Sequence, residues 1–258
     1  MVENPQPVLI KACLNGSRRG DEHPALPRTP AELAAAARGA VEAGAGALHV
    51  HPRNEDGEQT LAARAVAAAL ETIRATAAGI PVGVTTAAWI EPDPRRRLEM
   101  VRGWTVLPDF ASVNVSETGA RELIAALLEG GVAVEAGLAS MEDAEWLLRE
   151  PGLGDRCLRL LVEIEDDAGA SAVAEAAAID RVLREAGLRA PRLHHGYGRA
   201  TWAVIEAALR EHIDVRVGLE DTLELPDGRP AADNSELVAE AVRLARSLGR
   251  EPAPPPIG

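Results

Sequence analysis

Ala47-Leu48-His49-Val50-His51-Pro52-Arg53 reads as a short strand that closes on two histidines. Side chains alternate along a strand, so Leu48 and Val50 share one face, and His49 and His51 share the other. With the aliphatic pair on an apolar shell, both imidazoles point to the opposite side. Two neutral imidazoles side by side make half of a divalent metal site. The structural alternative is a pair of satisfied core histidines. The rest of the chain decides between them.

Working outward, the stretch is one unit of a regular alternation. Val8-Leu9-Ile10-Lys11-Ala12-Cys13-Leu14 reads as the first strand. Thr29-Pro30-Ala31-Glu32 opens a helix, with Thr29 as N-cap, Pro30 at the first helical position and Glu32 closing a capping box. Six more strands follow the histidine strand, beginning near Pro81, Phe110, Val132, Leu158, Arg192 and Asp214, each followed by a helical stretch. The last helix, from Asp233, carries a second capping box with Glu236. Eight strand–helix units fit a parallel (β/α)8 barrel. A doubly wound sheet would carry a glycine-rich first turn, and Asn15-Gly16-Ser17 is too poor to be one. Residues 1–250 are read as one barrel domain, and residues 251–258 as an unpacked proline-rich tail.

Composition narrows the function classes. The 258 residues are 47% hydrophobic with net charge -13. That acidic balance argues against nucleic acid and anionic membranes as partners. No apolar run is long enough to span a bilayer, no signal peptide opens the chain, and Cys13 and Cys157 both fall in apolar runs. A cytoplasmic protein with free, buried thiols is expected. Lys11 is the single lysine, set in an apolar strand.

Barrel enzymes take their catalytic groups from the C-terminal ends of several strands. Strand phase places Arg216, Gly218 and Glu220 on the inner face of the eighth strand, with Asp221 just beyond. Glu135 faces inward on the fifth strand, Ser112 and Asn114 on the fourth and Thr85 on the third. Glu163 is a candidate inner acid on the sixth. Buried charges need partners or a metal. Two histidines and a carboxylate with an open position match a catalytic zinc site, and Glu220 is the best third ligand by phase. An Arg216–Glu220 ion pair is the structural alternative. Gly196-Tyr197-Gly198-Arg199, after the seventh strand, is a candidate phosphate cradle. Arg18, Arg19 and Arg53 lie on the same rim.

Lys11-Ala12-Cys13-Leu14-Asn15-Gly16, His49-Val50-His51, Val217-Gly218-Leu219-Glu220-Asp221 and Ala232-Asp233-Asn234-Ser235-Glu236-Leu237-Val238 together resemble the β-keto acid cleavage enzyme family, in order and over nearly the whole chain. The resemblance implies a barrel, usually a homotetramer, with zinc on His49, His51 and Glu220. It implies Asp221 as catalytic base paired with Arg216, and Thr85, Ser112 and Glu135 lining the substrate pocket. The implied reaction takes a β-keto acid and acetyl-CoA to acetoacetate and a new CoA thioester. Gly196, Gly198 and Arg199 would then meet CoA phosphates. Members acting on an amino-substituted keto acid place an acidic residue where this chain has Arg18. A cation there favours a substrate with an anionic or neutral tail.

Two other chemistries compete. A zinc hydrolase on a barrel would also use an HxH pair with further histidines, and His194 and His195 keep that open. A Schiff-base lyase would use Lys11.

Overall fold

The structure, a computed structural model, describes residues 6–165 and 169–253. In chain order the elements are β1 (Gln6–Val8), β2 (Ile10–Cys13), α1 (Pro30–Glu42), β3 (Ala47–Val50), α2 (Ala63–Thr76), β4 (Val82–Thr85), α3 (Pro94–Arg102), β5 (Phe110–Asn114), α4 (Ala120–Glu129), β6 (Ala133–Leu138), α5 (Met141–Leu148), α6 (Leu153–Arg156), β7 (Arg159–Ile164), α7 (Gly169–Glu185), β8 (Arg192–Gly196), α8 (Thr201–Arg210), β9 (Asp214–Val217), α9 (Asn234–Ser247) and β10 (Arg250–Pro252). Strands β2 to β9 close into one parallel barrel, each paired with its sequence neighbours and β9 with β2. The expected (β/α)8 architecture is the observed one.

The apolar core is the shell between the barrel and its surrounding helices. Ile10, Ala12, Leu48, Val50, Val82, Val84, Ala111, Val113, Val215 and Val217 are buried between the barrel wall and the helices. The barrel interior is filled differently, with charge near its middle. Lys11 Nζ lies 2.5 Å from Glu135 Oε2, and Arg159 Nε lies 3.4 Å from Glu135 Oε1. The Phe110 ring sits between the two cations, 5.7 Å from each. A buried ion pair costs desolvation and holds only where each charge finds a partner. Here two cations share one carboxylate under an aromatic face.

The capping predictions hold with one change. Thr29 and Glu32 make a complete reciprocal box. Asp233 accepts from the Glu236 N–H, but Glu236 reaches back to the Ala232 N–H at 2.6 Å, one residue earlier than a standard box.

Both ends of the chain differ from expectation. The first strand is split: Leu9 turns its N–H to Asp214 Oδ1 at 2.9 Å, and β1 leaves the barrel. It pairs in parallel with β10, Gln6 opposite Arg250 and Val8 opposite Pro252. The tail read as unpacked from Glu251 therefore begins as a strand closing the barrel floor. The remainder of the proline run, residues 254–258, lies outside the described residues. Among the described residues, no helix is long and apolar enough to cross a membrane.

Candidate metal centre and substrate cavity

The histidine strand is held at its end by Asn15. Asn15 Oδ1 accepts the His51 N–H at 2.9 Å, and its Nδ2 donates to the His51 carbonyl at 2.9 Å. Both backbone groups of His51 are thus satisfied just where the strand stops, so the ring is fixed from behind. His51 Nδ1 donates to Gln59 Oε1 at 2.6 Å, which leaves Nε2 bare. The Trp89 ring stacks on His51 at 6.4 Å and 19°.

Glu220 reaches the same point by a turn. β9 ends at Val217, and the chain reverses at Gly218, whose carbonyl accepts from the N–H groups of Asp221 and Thr222 at 2.9 and 3.1 Å. A Cβ at Gly218 would fall 1.9 Å from the Cys13 carbonyl oxygen, so only glycine lets the turn lie against β2. Asn234 fixes the turn further: its Oδ1 accepts from the Leu219 N–H and its Nδ2 donates to the Leu14 carbonyl, both at 2.9 Å. Glu220 Oε2 arrives 3.6 Å from His51 Nε2 and 4.0 Å from His49 Nε2.

One donor atom from each of His49, His51 and Glu220 falls within 4.8 Å of the others. Glu220 Oε2 is buried and has no hydrogen-bond partner, which a purely structural carboxylate would not tolerate at low cost. Burial first, and neighbouring positive charge second, hold His49 well below the usual imidazole range. Burial also lowers His51, against an opposing pull from Glu220. Both rings are therefore neutral, the form that ligates. Two imidazoles and a carboxylate suit zinc and other borderline divalent metals. The donor set fits a metal.

Next to it lies a charged cluster. Arg216 Nη2 donates to Asp221 Oδ1 at 2.6 Å, to Glu220 Oε1 at 2.8 Å and to Tyr197 Oη at 3.2 Å. The Arg216–Glu220 ion pair, read from the sequence as an alternative to a ligand role, is thus present on one oxygen while the other oxygen faces the histidines. Burial raises Asp221 above the usual carboxylate range, and the Arg216 guanidinium opposes it. Asp221 is fully buried.

A cavity of about 230 Å³ opens over these groups. Its wall includes His49, His51, Glu220, Arg216, Thr85, Ser112 and Asn114, which places the three expected polar residues beside the metal donors. It continues into a vestibule of about 510 Å³ bounded by Ser17, Arg18, Glu22, Trp89, Glu165 and Tyr197. Arg18 is half-buried there, its Nε donating to the Leu219 carbonyl at 2.5 Å and its Nη1 to Glu22 at 3.1 Å. Arg53, expected on the rim, braces that loop by donating to the Arg18 carbonyl at 2.5 Å.

Several expectations are corrected. Glu135 does not reach the cavity: it is wholly buried beneath it, paired with Lys11 and Arg159. Lys11 is buried in the same pair and does not line the cavity beside the metal donors, which removes the ground for a Schiff base. At Gly196–Arg199, the expected phosphate cradle, two of the backbone amides are already engaged. The Gly198 N–H donates to the Asp221 carbonyl at 2.8 Å and the Tyr197 N–H to the Ile164 carbonyl at 3.0 Å. Arg199 stays exposed. Of the two adjacent histidines, His195 points into the barrel and His194 outward to Asp180 on α7, at 3.8 Å. The extra histidines that a hydrolase would need do not join the metal donors among the described residues.

Gln59, Trp89, Tyr197 and His195 were not assigned from sequence. Gln59 and Trp89 sit on loops, where no periodicity marks orientation. Tyr197 stood out only as the spacer between two glycines.

Residues 7–256 match the family described as beta-keto acid cleavage enzyme. The chain belongs to this family. It is 26% identical over 262 residues to a 3-keto-5-aminohexanoate cleavage enzyme of Fusobacterium nucleatum, covering 96% of this chain and 94% of that one. It is 27% identical over 270 residues to a 3-oxoadipate:acetyl-CoA acetyltransferase of Cupriavidus necator, covering 95% and 90%. Among solved structures it superposes on ObcA bound to oxaloacetate with a TM-score of 0.72 at 16% identity. That match covers 89% of this chain, which spans 65% of the ObcA chain. A likeness at that identity bears on the fold alone.

Proposed function

We propose that this protein cleaves a β-keto acid with acetyl-CoA, giving acetoacetate and a new acyl-CoA, and that His49, His51 and Glu220 hold a zinc ion. The carrying observation is the convergence of these three donors, with Glu220 Oε2 unpartnered, on a cavity in a chain of this family. A divalent metal bound there would supply Lewis-acid stabilisation of the negative charge that develops on the keto acid's oxygens. The protein's own groups do the rest. Thr85, Ser112 and Asn114 offer hydrogen bonds that orient the acid. Arg216 presents a fixed positive charge to the cavity and holds Asp221, the pair acting together in acid–base work. The carbanion formed from the keto acid attacks the thioester carbonyl of acetyl-CoA, CoA migrates within the adduct, and a retro-Claisen step releases acetoacetate.

Arg18 supports a substrate whose far end is anionic or neutral, because it sets a guanidinium in the vestibule leading from His51. Glu22 offsets part of that charge, so the preference rests on the position of the cation and not on a net positive field. Arg199, exposed after β8, is the remaining candidate for a CoA phosphate. A homotetramer is the assembly that the family resemblance supports, and the two free buried thiols suit a reducing, cytoplasmic compartment.

The deciding experiment offers the zinc-loaded protein a panel of β-keto acids with acetyl-CoA and scores acetoacetate. Turnover of β-ketoadipate above 3-keto-5-aminohexanoate is expected. Acetoacetate from no member of the panel would overturn the reaction, and a clear preference for the amino substrate would overturn the role of Arg18.

A further inference from the structure

Three neighbouring strands leave a gap in the cavity wall. Asn114 on β5 lies opposite Gly137 on β6 in the sheet register, and Glu163 stands on β7, the next strand round the barrel. All three line the cavity that holds His49, His51 and Glu220. A Cβ at position 137 would collide with Glu163 Oε1 and fall 2.7 Å from Asn114 Oδ1. Both oxygens therefore border one small space, and that space exists because position 137 carries no side chain.

Neither oxygen has a protein donor among the described residues, and each is aimed by what its own group does on the far side. Glu163 is 8% exposed. Its Oε2 accepts from His195 Nε2 at 2.9 Å and from the Tyr197 hydroxyl at 3.5 Å, which leaves Oε1 turned to the gap. Asn114 Nδ2 donates to Glu117 Oε1 at 3.1 Å, and Glu117 is held in turn by Arg97 at 2.7 Å. A carboxylate only accepts, so the amide nitrogen belongs on the Glu117 side and Oδ1 faces the cavity. Two acceptors thus converge on one space with no N–H or O–H between them. Unmet acceptors at a buried site are costly and call for a donor from the ligand. A carboxylate or carbonyl brought there would meet only lone pairs. An ammonium would meet the acceptors, but also Arg216 Nη1, 3.8 Å from Glu163 Oε2, and the charge of a metal across the same cavity. A hydroxyl donates without carrying charge.

We infer that Glu163 Oε1 and Asn114 Oδ1, above Gly137, form a subsite for a hydroxyl group on the tail of the β-keto acid, and that hydroxylated β-keto acids are the preferred substrates. The inference rests on the reaction proposed above and narrows its substrate without altering its steps. A hydroxylated tail stays on the neutral or anionic side that the guanidinium of Arg18 favours in the vestibule. Glu163, Asn114 and Gly137 are then specificity-determining residues: two supply acceptors and the third supplies room.

The test compares substrates that differ by one oxygen. Zinc-loaded wild-type protein is given acetyl-CoA with 3-ketohexanoate or with its 4-hydroxy or 5-hydroxy form. The better hydroxy acid is expected to exceed the parent in kcat/KM by about 10-fold or more; the cavity is open, so water takes the place of a missing hydroxyl and keeps the ratio below that of a dry site. Calorimetric titration without acetyl-CoA is expected to give the same order of affinity. Gly137→Ala puts a methyl group in the gap and should bring the advantage down to about threefold or less. Asn114→Ala, which removes one acceptor, should lower it in the same direction and serves if the alanine at 137 folds poorly. Hydroxy acids no better than the parent in wild type, with acetoacetate formed from each, overturn the subsite and leave the reaction standing. A hydroxyl advantage that survives in both variants overturns its placement at Gly137. Faster turnover of 3-keto-5-aminohexanoate than of the 5-hydroxy acid overturns the choice of a hydroxyl. Acetoacetate from none of these acids overturns the reaction itself, and this inference with it.

Discussion

Gln59 Oε1 accepts the His51 Nδ1 proton at 2.6 Å, and His51 Nε2 is thereby left as a bare lone pair 3.6 Å from Glu220 Oε2. A loop residue eight positions beyond the histidine thus sets which ring nitrogen meets the metal. Partners of this kind are worth about 10–100-fold in metal affinity. Gln59→Leu is expected to weaken zinc binding by about that factor while the protein stays folded. Competition against a chromophoric chelator reads it directly, and unchanged affinity would show that Asn15 and Trp89 suffice to hold the ring.

Removing the metal donors has a sharper expected outcome. Glu220→Gln keeps the hydrogen-bonding partner of Arg216 but removes the charge facing the histidines. Stoichiometric zinc is expected to be lost, together with acetoacetate formation, and elemental analysis of the purified variant checks it. In the wild type, chelation should abolish turnover and added zinc should restore it.

The buried histidines predict how stability follows pH. His49, His51 and His195 all have pKa values lowered by burial. In the unfolded chain each titrates near ~6.5, so below that value the unfolded state binds more protons than the folded one. Stability is then fully present above about pH 6.5 and falls as the pH drops through it, continuing down toward the folded-state values. Metal-free protein is expected to melt progressively lower between pH 7.5 and 5. A melting temperature that is flat across this range would mean that these rings take up protons in the fold as readily as in the unfolded chain.

The barrel was legible in the sequence because alternation is strict where one strand face meets helices. Leu48 and Val50 against His49 and His51, or Val215 and Val217 against Arg216, leave one reading. Glu220 was placed correctly for an incomplete reason. Strand phase was extended to it, yet β9 stops at Val217 and the Gly218 turn delivers it. His194 and His195 were not separable, because either phase of Arg192-Leu193-His194-His195 puts one histidine inward, and only Asp180 on α7 settles which faces out. Glu135 was assigned the right face but the wrong depth. Barrel shear sets depth around the ring, and one strand read alone carries no record of it.

That depth has a measurable consequence. Lys11→Met would leave Glu135 buried with only Arg159 as a partner. Breaking a buried pair by removing one member costs about 3–5 kcal/mol, and Arg159 should keep the loss near the low end. Denaturant unfolding is expected to show this loss with zinc content unchanged. Borohydride should trap no substrate adduct on the wild type, since Lys11 Nζ is bound to Glu135 and does not line the cavity beside the metal donors.

Arg18 is the remaining test of specificity. Its Nε is tied to the Leu219 carbonyl and its Nη1 to Glu22, so the guanidinium is held at the vestibule wall and does not sweep through solvent. A charge held in place at a half-buried site discriminates better than a mobile one, because less side-chain entropy is lost when a substrate docks. Arg18→Glu reverses the sign next to Glu22 and should repel a dicarboxylic keto acid. We expect kcat/KM for β-ketoadipate to fall by about 10-fold or more, on the scale that like-charge juxtaposition commands, while the amino-substituted acid gains. Arg18→Gln should give a smaller fall and no gain. Since Arg18 touches no metal donor, zinc affinity should be unaltered in both variants. A drop in kcat with KM unchanged, for both substrates alike, would mean that Arg18 shapes the Leu219–Asp221 turn and does not read the substrate's tail.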